Sequence, residues 1–401
     1  MNTGKLWTPL DAESIQDPYP MYARLREQDP VHHAQTGEWI ISRYDDVKTI
    51  LKSPLCRSGN RLEWLSRGVT QFRNRDEDFR SIYSAINTFI LFLNAPDHGQ
   101  IRNLVAKAWD NHEVEKSIEQ RAMRLIEKIE TPEFDLIKTF AQPLPVSTIS
   151  AIMGITERDH DYLSGMSIRM LRSLDLYHTY KDLVELNETS KAFVDYFRML
   201  IQTKTDNPDE GLISKLILQN RQGVVTTGQL VSLGIFLFLA GEETTSSSIS
   251  TGLYNLMLRP DLYKHLRENP QGTDLAVEEL FRYDPPVHIL GRINKSELVV
   301  AGKTIPENSV LTLLLASANR DPSQFHDADQ LRLQRNPNHH LAFGTGVHFC
   351  LGDWLGRIQT KIAIALFTQA FSKAEVLSQP VRWNKNLAVR GLASLYIKVE
   401  R

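Results

Sequence analysis

A single thiol stands in a loop suited to hold it still. Cys350 lies near the end of the segment Phe343-Gly344-Thr345-Gly346-Val347-His348-Phe349-Cys350-Leu351-Gly352. Its glycines, Gly346 and Gly352 above all, let backbone N–H groups come close to a sulfur. Leu351, Leu355, Ile358, Ile362 and Leu366 follow at spacings of three and four. That pattern predicts a helix with one buried face, opening at Cys350. The positive end of a helix lowers a thiol's pKa from about 8.5 and favours the thiolate, which is both a nucleophile and a metal ligand. Zinc is one metal this region could take, since His339, His340, His348 and Cys350 offer nitrogen and sulfur at close spacing. Zinc does not account for the glycines, however, and structural zinc usually recruits more cysteines.

A second cluster interrupts a long apolar segment. Thr226 with Gln229 three residues on reads as a capping box, and the helix it opens is expected to run to Arg259, where Pro260 stops it. Within it lies Ala240-Gly241-Glu242-Glu243-Thr244-Thr245. Glycine costs a helix about 1 kcal/mol, and hydroxyls compete for the helix's own carbonyls. One explanation is a glycine that lets two helices pack closely. The other is functional and rests on the resemblance given below. Thr245 is expected to face away from Thr244 and pack.

A third cluster is Glu278-Glu279-Leu280-Phe281-Arg282, on a helix that ends before Asp284-Pro285-Pro286. Glu279 and Arg282 share a helix face. Alone, such a pair is a surface ion pair worth a few tenths of a kcal/mol; its place between the other two clusters sets it apart.

The elements that must position these clusters are mostly helical. A turn at Asp17-Pro18-Tyr19-Pro20 leads to a short helix over 21–26, a hairpin over 31–42 turning at Thr36-Gly37, and a helix over 45–53. The stretch 54–95 is irregular and reads as a long loop. Helical periodicity marks 113–130, 144–153, 157–173 and 180–203. Strand-like residues return over 287–315 and 380–399. The expected class is mainly α with minor β (α+β). One domain spans 1–401, with a β-rich part roughly 31–53, 287–315 and 380–399, and a helical part roughly 95–285 and 350–372.

The 401 residues are 42% hydrophobic and 23% charged, with net charge −2, which gives no reason to expect nucleic acid as a partner. Two cysteines far apart, Cys56 and Cys350, give no disulfide framework. Residues 1–17 do not read as a signal peptide, and the longest apolar run is well short of the roughly 20 residues a membrane span needs. The expectation is a cytoplasmic protein, free of the membrane and monomeric.

Taken together, F-G-x-G-x-H-x-C-x-G, A-G-x-E-T-T and E-x-x-R, in the order distal helix, E-x-x-R, cysteine loop, resemble the cytochrome P450 superfamily of the soluble bacterial type. The resemblance extends over nearly the whole chain. It implies haem b (iron protoporphyrin IX) with Cys350 as axial iron ligand. Ala240 and Gly241 would open a groove for O2, with Glu243 and Thr244 as the acid and alcohol that deliver protons. Haem carboxylates need cations or strong donors, and the matching positions are His98, Arg102, Arg292 and His348. Gln100 stands where an arginine is frequent, which puts one such contact in doubt. Phe343, Gly344 and Gly352 belong to the cofactor loop. Glu279 and Arg282 would lock the segment beneath that loop with Arg335 as third partner, although Ala328 and Leu331 stand where proline and phenylalanine are common.

The resemblance further implies a monooxygenase that hydroxylates or epoxidises a small organic molecule, in the style of enzymes of secondary metabolism. Electrons would come from NAD(P)H through a reductase and a ferredoxin or flavodoxin. Arg102, Lys107, Arg357 and Lys361 are candidates for a basic face toward that partner. Leu239, Val287, Ile289, Leu290 and Leu392 are candidate substrate-pocket residues, and His288 and Arg390 could meet a polar substrate group. A peroxygenase of the same fold driven by H2O2, and a non-enzymatic haem-thiolate sensor, are the competing readings. The first would not need the acid–alcohol pair and the second would not need Thr244.

Overall fold

Apolar residues at helical spacing dominate the middle of the chain, and helices result. The structure is a computed structural model and describes residues 6–59, 79–86, 88–109, 114–377 and 380–401. Of the loop expected over 54–95, residues 60–78 and 87 lie outside the described residues. The described ends of that stretch contain the strand Cys56–Arg57, the helix Arg80–Ile86 and a 3-10 turn at Ile90–Phe92.

Two compact units emerge. The first comprises Met1–Arg57, Ile118–Pro143 and Thr244–Arg401. Its main sheet runs in the order Val31–His33, Trp39–Ile41, Val310–Leu314, Ile289–Asn294, Cys56–Arg57. The hairpin expected over 31–42 is present, with Val31 opposite Ile41 and the turn glycine, Gly37, at φ +94. Trp39–Ile41 then pairs in parallel with Val310–Leu314, the one parallel ladder of this sheet. Val310–Leu314 is nearly all apolar because it is central and covered on both faces. The underlying core joins Val31, Ile41, Val47, Ile50, Leu311, Leu313, Leu315 and Leu341.

A three-stranded sheet in the same unit sets Tyr396–Glu400 between Glu133–Asp135 and Lys373–Val376. The strand Glu133–Asp135 was not expected. Its three residues carry no strand pattern of their own and become a strand because Tyr396–Glu400 supplies the ladder.

The second unit comprises Ser58–Ser117 and Leu144–Glu243. Its helices include Asp97–Ala108, His160–Met170, Tyr180–Asp206 and Leu212–Gln219. The Phe193, Phe197 and Phe238 rings form part of its core. The long helix Thr227–Met257 runs from this unit into the first. Its expected cap is in place: Thr226 N donates to Gln229 Oε1 at 2.8 Å, and Gln229 N donates to Thr226 Oγ1 at 3.2 Å. It ends at Met257, two residues short of the expected Arg259, whose extended backbone (φ −136, ψ 77) suits a residue before proline. The helix stays α-helical through Ala240–Thr245, so that motif does not break it.

Candidate functional site

Glu279 is the acid at the centre of a buried polar network in the first unit. It is fully buried, as is Arg282. Three residues apart on the helix Thr273–Tyr283, the two form a bidentate pair, with Nε and Nη2 each at 2.8 Å from a carboxylate oxygen. Arg335 Nε donates to both Glu279 oxygens, at 3.1 and 2.9 Å. Arg332 N and Asn338 Nδ2 add donors at 2.9 and 3.1 Å. The remaining guanidinium hydrogens go to backbone: Arg282 to the carbonyls of Asn319, Ala328 and Gln330, Arg335 to those of His326 and Asp327. Because carbonyls do this work, alanine at 328 costs the network nothing. A buried ion pair gains stability only when its leftover donors and acceptors are satisfied, and here they are. Asn319, whose carbonyl serves Arg282, accepts from Leu341 N at 2.7 Å and so ties the network to the segment entering the cysteine loop.

That loop turns on Gly344 and Gly346, at φ +69 and +76. Gly346 is doubly constrained: its φ is one that side-chain-bearing residues rarely adopt, and a Cβ there would lie 2.9 Å from the Leu51 carbonyl oxygen. A 3-10 turn, Gly346–His348, follows, and Cys350 N donates to Phe343 O at 3.0 Å, closing the loop. Cys350, His348 and Phe343 are half-buried. The helix after the loop begins later than expected, at Asp353 with Gly352 as its cap. Cys350 thus lies just before the first turn instead of opening it. The reason is local: Cys350 N is engaged by Phe343 O, and the first cap bond is Gly356 N to Gly352 O at 3.0 Å.

Beside the loop is a cluster that the sequence did not reveal. Arg357 Nε donates to Glu278 Oε1 at 2.7 Å, and its guanidinium also pairs with Asp353 and lies 4.2 Å from the centre of the Phe343 ring. His340 Nε2 is 3.0 Å from Glu278 Oε2. Burial raises the Glu278 pKa, but His340 and Arg357 outweigh it and bring it down to about 2. Two residues of the expected basic face have acid neighbours: Arg357 pairs with Glu278 and Asp353, and Lys361 with Asp274 at 2.8 Å. The zinc reading also loses ground. His340 is engaged by Glu278, and among the described residues no group of three or more His, Cys, Asp or Glu could hold a metal ion.

Arg292, on the strand Ile289–Asn294, is 4% exposed. Its Nη1 donates to Gly291 O at 2.8 Å, and among the described residues no carboxylate pairs with it. Burial lowers its pKa to about 10, partly offset by Cys56. A buried guanidinium without an acid partner is costly, which makes this position suited to an anion.

Val287 and Leu290 are half-buried against the sheet core, while Ile289 and Leu392 are buried. His288 and Arg390 both have partners within the fold, although His288 Nε2 and Arg390 Nε make no hydrogen bond among the described residues. Tyr22 Oη lies 3.2 Å from His288 Nδ1, and His288 Nε2 is 3.4 Å from Asp284. Arg390 donates to the carbonyls of Ile15 and Gln16 and stacks on Trp383. Tyr19 Oη donates to Asp284 Oδ1 at 2.7 Å. Burial raises the Asp284 pKa, but the His288 hydrogen bond and the charges of Arg390 and Arg320 overcome that and hold it well below the usual carboxylate range. Contacts this distant in sequence leave no local signal.

In the second unit, His98 is buried and Arg102 half-buried on the helix Asp97–Ala108. Leu239 is buried and Ala240 half-buried on the long helix. At Gly241 an added Cβ would lie 2.9 Å from the Ile149 side chain, so glycine lets the long helix meet the helix Pro143–Met153 closely. The next residues are two buried acids. Glu242 Oε1 accepts from Ser164 Oγ at 2.5 Å. Glu243 is 7% exposed, and its Oε1 has no hydrogen-bond partner among the described residues. Burial, with the neighbouring Glu242, raises its pKa well above the ordinary value. Thr244 is half-buried, and Thr245 is buried as expected.

The cytochrome P450 family model matches residues 63–389. The chain belongs to the cytochrome P450 family. It is similar to the polyketide biosynthesis cytochrome P450 PksS of Bacillus subtilis strain 168, at 31% identity over 99% of both chains. It also resembles the monooxygenase PikC of Streptomyces venezuelae, at 30% identity over 98% of this chain and 93% of that one. Among solved structures, P450BioI in complex with an acyl carrier protein ligated to hexadec-9Z-enoic acid matches with a TM-score of 0.89 and 29% identity, covering 97% of this chain and 99% of that one. This P450 is an oxidoreductase, a monooxygenase, and its family implies haem b.

The residues present fit such a group. Cys350 is half-buried on a loop turned by Gly344 and Gly346, and Arg292 is a buried cation that pairs with no carboxylate among the described residues. A Cβ on Gly352 would meet nothing within 4 Å, so the chain's own packing does not demand glycine there. Among the described residues no helix is long and apolar enough to cross a membrane.

Proposed function

We propose that this P450 inserts one oxygen atom of O2 into a C–H or C=C bond of a small organic molecule of secondary metabolism. Electrons come from NAD(P)H through a separate reductase and a ferredoxin or flavodoxin. The observation that carries the reading is the Cys350 loop, turned by Gly344 and Gly346 and tied to the Glu279 network through Leu341 and Asn319. Haem, when bound, supplies the iron at which O2 is reduced, one oxygen reaching the substrate and the other leaving as water.

The protein's own residues divide the remaining work. Cys350 is the iron ligand, and Phe343, Gly344 and Gly352 shape its loop. Arg292 and His348 are the first unit's candidates for the cofactor carboxylates. Ala240 and Gly241 keep the long helix slim at the point where oxygen chemistry takes place. Glu243 holds a proton in an apolar setting, and the Thr244 hydroxyl hands it on. This acid–alcohol pair favours O2 with external electrons over H2O2 as oxidant. Val287, Ile289, Leu290 and Leu392 are the first unit's apolar candidates for substrate contact. Relatives named for polyketide biosynthesis and for mycinamicin IV hydroxylation and epoxidation support a natural product as substrate.

The deciding experiment is a CO-difference spectrum of the reduced protein, with a C350A variant beside it. The reading expects a thiolate-type Soret shift that C350A abolishes. Haem retained by C350A with an unchanged spectrum would overturn it. Thr244→Ala should divert NADPH-derived electrons to peroxide and water instead of product, and unaltered coupling in that variant would count against the proton relay.

A further inference from the structure

The long helix buries two consecutive acids, and the structure treats them differently. Glu242 is fully buried and receives the Ser164 hydroxyl at 2.5 Å. That distance is at the short end of the O–H···O range, where charge-assisted bonds fall. Ser164 itself is buried on the helix His160–Met170. Glu243, one residue on, is also buried; its Oε1 and Glu242 Oε2 each accept no hydrogen bond among the described residues, so the difference between the two acids is the Ser164 bond to Glu242 Oε1.

We propose that Glu242, anchored by the Ser164 hydroxyl, is a positioning residue that confines the pair's negative charge to its own carboxylate and so keeps a proton on Glu243. Two adjacent buried carboxyls do not both ionise readily, because each charge opposes the other in a medium that screens poorly. Which one keeps the proton is set by which anion is better solvated by the protein. The hydroxyl solvates Glu242. Glu243 has burial and the Glu242 charge acting on it, both in the direction of the neutral acid, and no described cation pairs with it. The pair titrates as a unit, and the Ser164 contact selects the microstate.

For its catalytic meaning the proposal rests on the reading of Glu243 as proton donor: a residue that must give up a proton starts out holding one. Its chemistry stands apart from that reading, and so does its test. Infrared difference spectra of the haem-loaded protein, recorded across a pH series, report the C=O stretch of a buried protonated carboxyl. Wild type at neutral pH should show a band that Glu243→Gln removes. In Glu242→Gln the same band should persist, with its midpoint moved down by about 1–3 pH units, the size expected when a nearby like charge is removed.

Ser164→Ala should let the proton spread over both acids, so that Glu243→Gln on that background removes only part of the band. If Glu242→Gln fails to load haem, this serine variant carries the test. A neutral-pH band removed by Glu242→Gln instead of Glu243→Gln, an unmoved midpoint in Glu242→Gln, or a band on the Ser164→Ala background that Glu243→Gln still removes entirely would overturn the proposal. A shifted midpoint with undisturbed coupling of NADPH to product supports the proton assignment and counts against the relay reading alone.

Discussion

Buried charge is handled in opposite ways around Glu279 and around Glu243. Glu279 takes two guanidiniums, a backbone N–H and an amide, and the arginines pass their remaining hydrogens to carbonyls. Glu243 has an oxygen with no donor and a second acid next to it. The first arrangement spends its polar groups on fixing a loop. The second leaves a titratable group ill at ease, and perturbed groups of that kind gather where protons move. The contrast suggests that the first is there for geometry and the second for chemistry.

The contrast breaks most visibly at Glu279. Glu279→Ala leaves Arg282 and Arg335 buried without their acid, and the expected loss is about 3–5 kcal/mol, read from chemical denaturation. A loss below about 1 kcal/mol would mean the network is not the anchor described here. Next in size is Gly346→Ala, which combines a strained φ with a clash on the Leu51 carbonyl. Its cost should be about 1–3 kcal/mol, with weakened haem retention on gel filtration. An equally stable, fully loaded variant would show that the loop has other turns available.

A smaller effect sharpens the other side. The Glu243 pKa is raised in the folded protein, so its contribution to stability is fully present below the unfolded value of about 4.3 and is lost as pH rises toward the raised value. Glu243→Gln removes that loss. Its melting temperature should gain on wild type as pH increases, even while coupling falls. Parallel curves at all pH values would show that Glu243 ionises without cost.

Glu278 should behave in the reverse sense and more weakly, being partly exposed. Its pKa is depressed to about 2, so its contribution is present above the unfolded value and is lost as pH falls through the folded one. Glu278→Gln should therefore flatten the acid side of the stability profile, and an unchanged acid limb would remove Glu278 from the account.

Much of this was legible in the residues. The capping box at Thr226, the hairpin at Gly37, the helix ending before Asp284 and the Glu279–Arg282 spacing are local patterns, set by interactions between neighbours in the chain. The strand Glu133–Asp135 and the late start of the helix at Asp353 were not legible, because each depends on a distant or competing hydrogen-bond partner. His288 and Arg390 stood out in sequence as polar groups, and only folding shows the partners they have: Tyr22 and Asp284 for His288, the Ile15 and Gln16 carbonyls for Arg390.

By itself, then, the sequence determined the kind of protein: a lone cysteine among glycines, an acid–alcohol pair in an apolar helix and a Glu–Arg pair on one helix face, all carried by short-range spacing. The tertiary structure decided which charges are spoken for. It engaged Arg357 and His340 with Glu278, left Arg292 without an acid among the described residues, and set Ser164 against Glu242. The reason is physical. Spacing determines which groups share a helix face, but the free energy of a charge depends on burial and on whatever partner the rest of the chain brings to it.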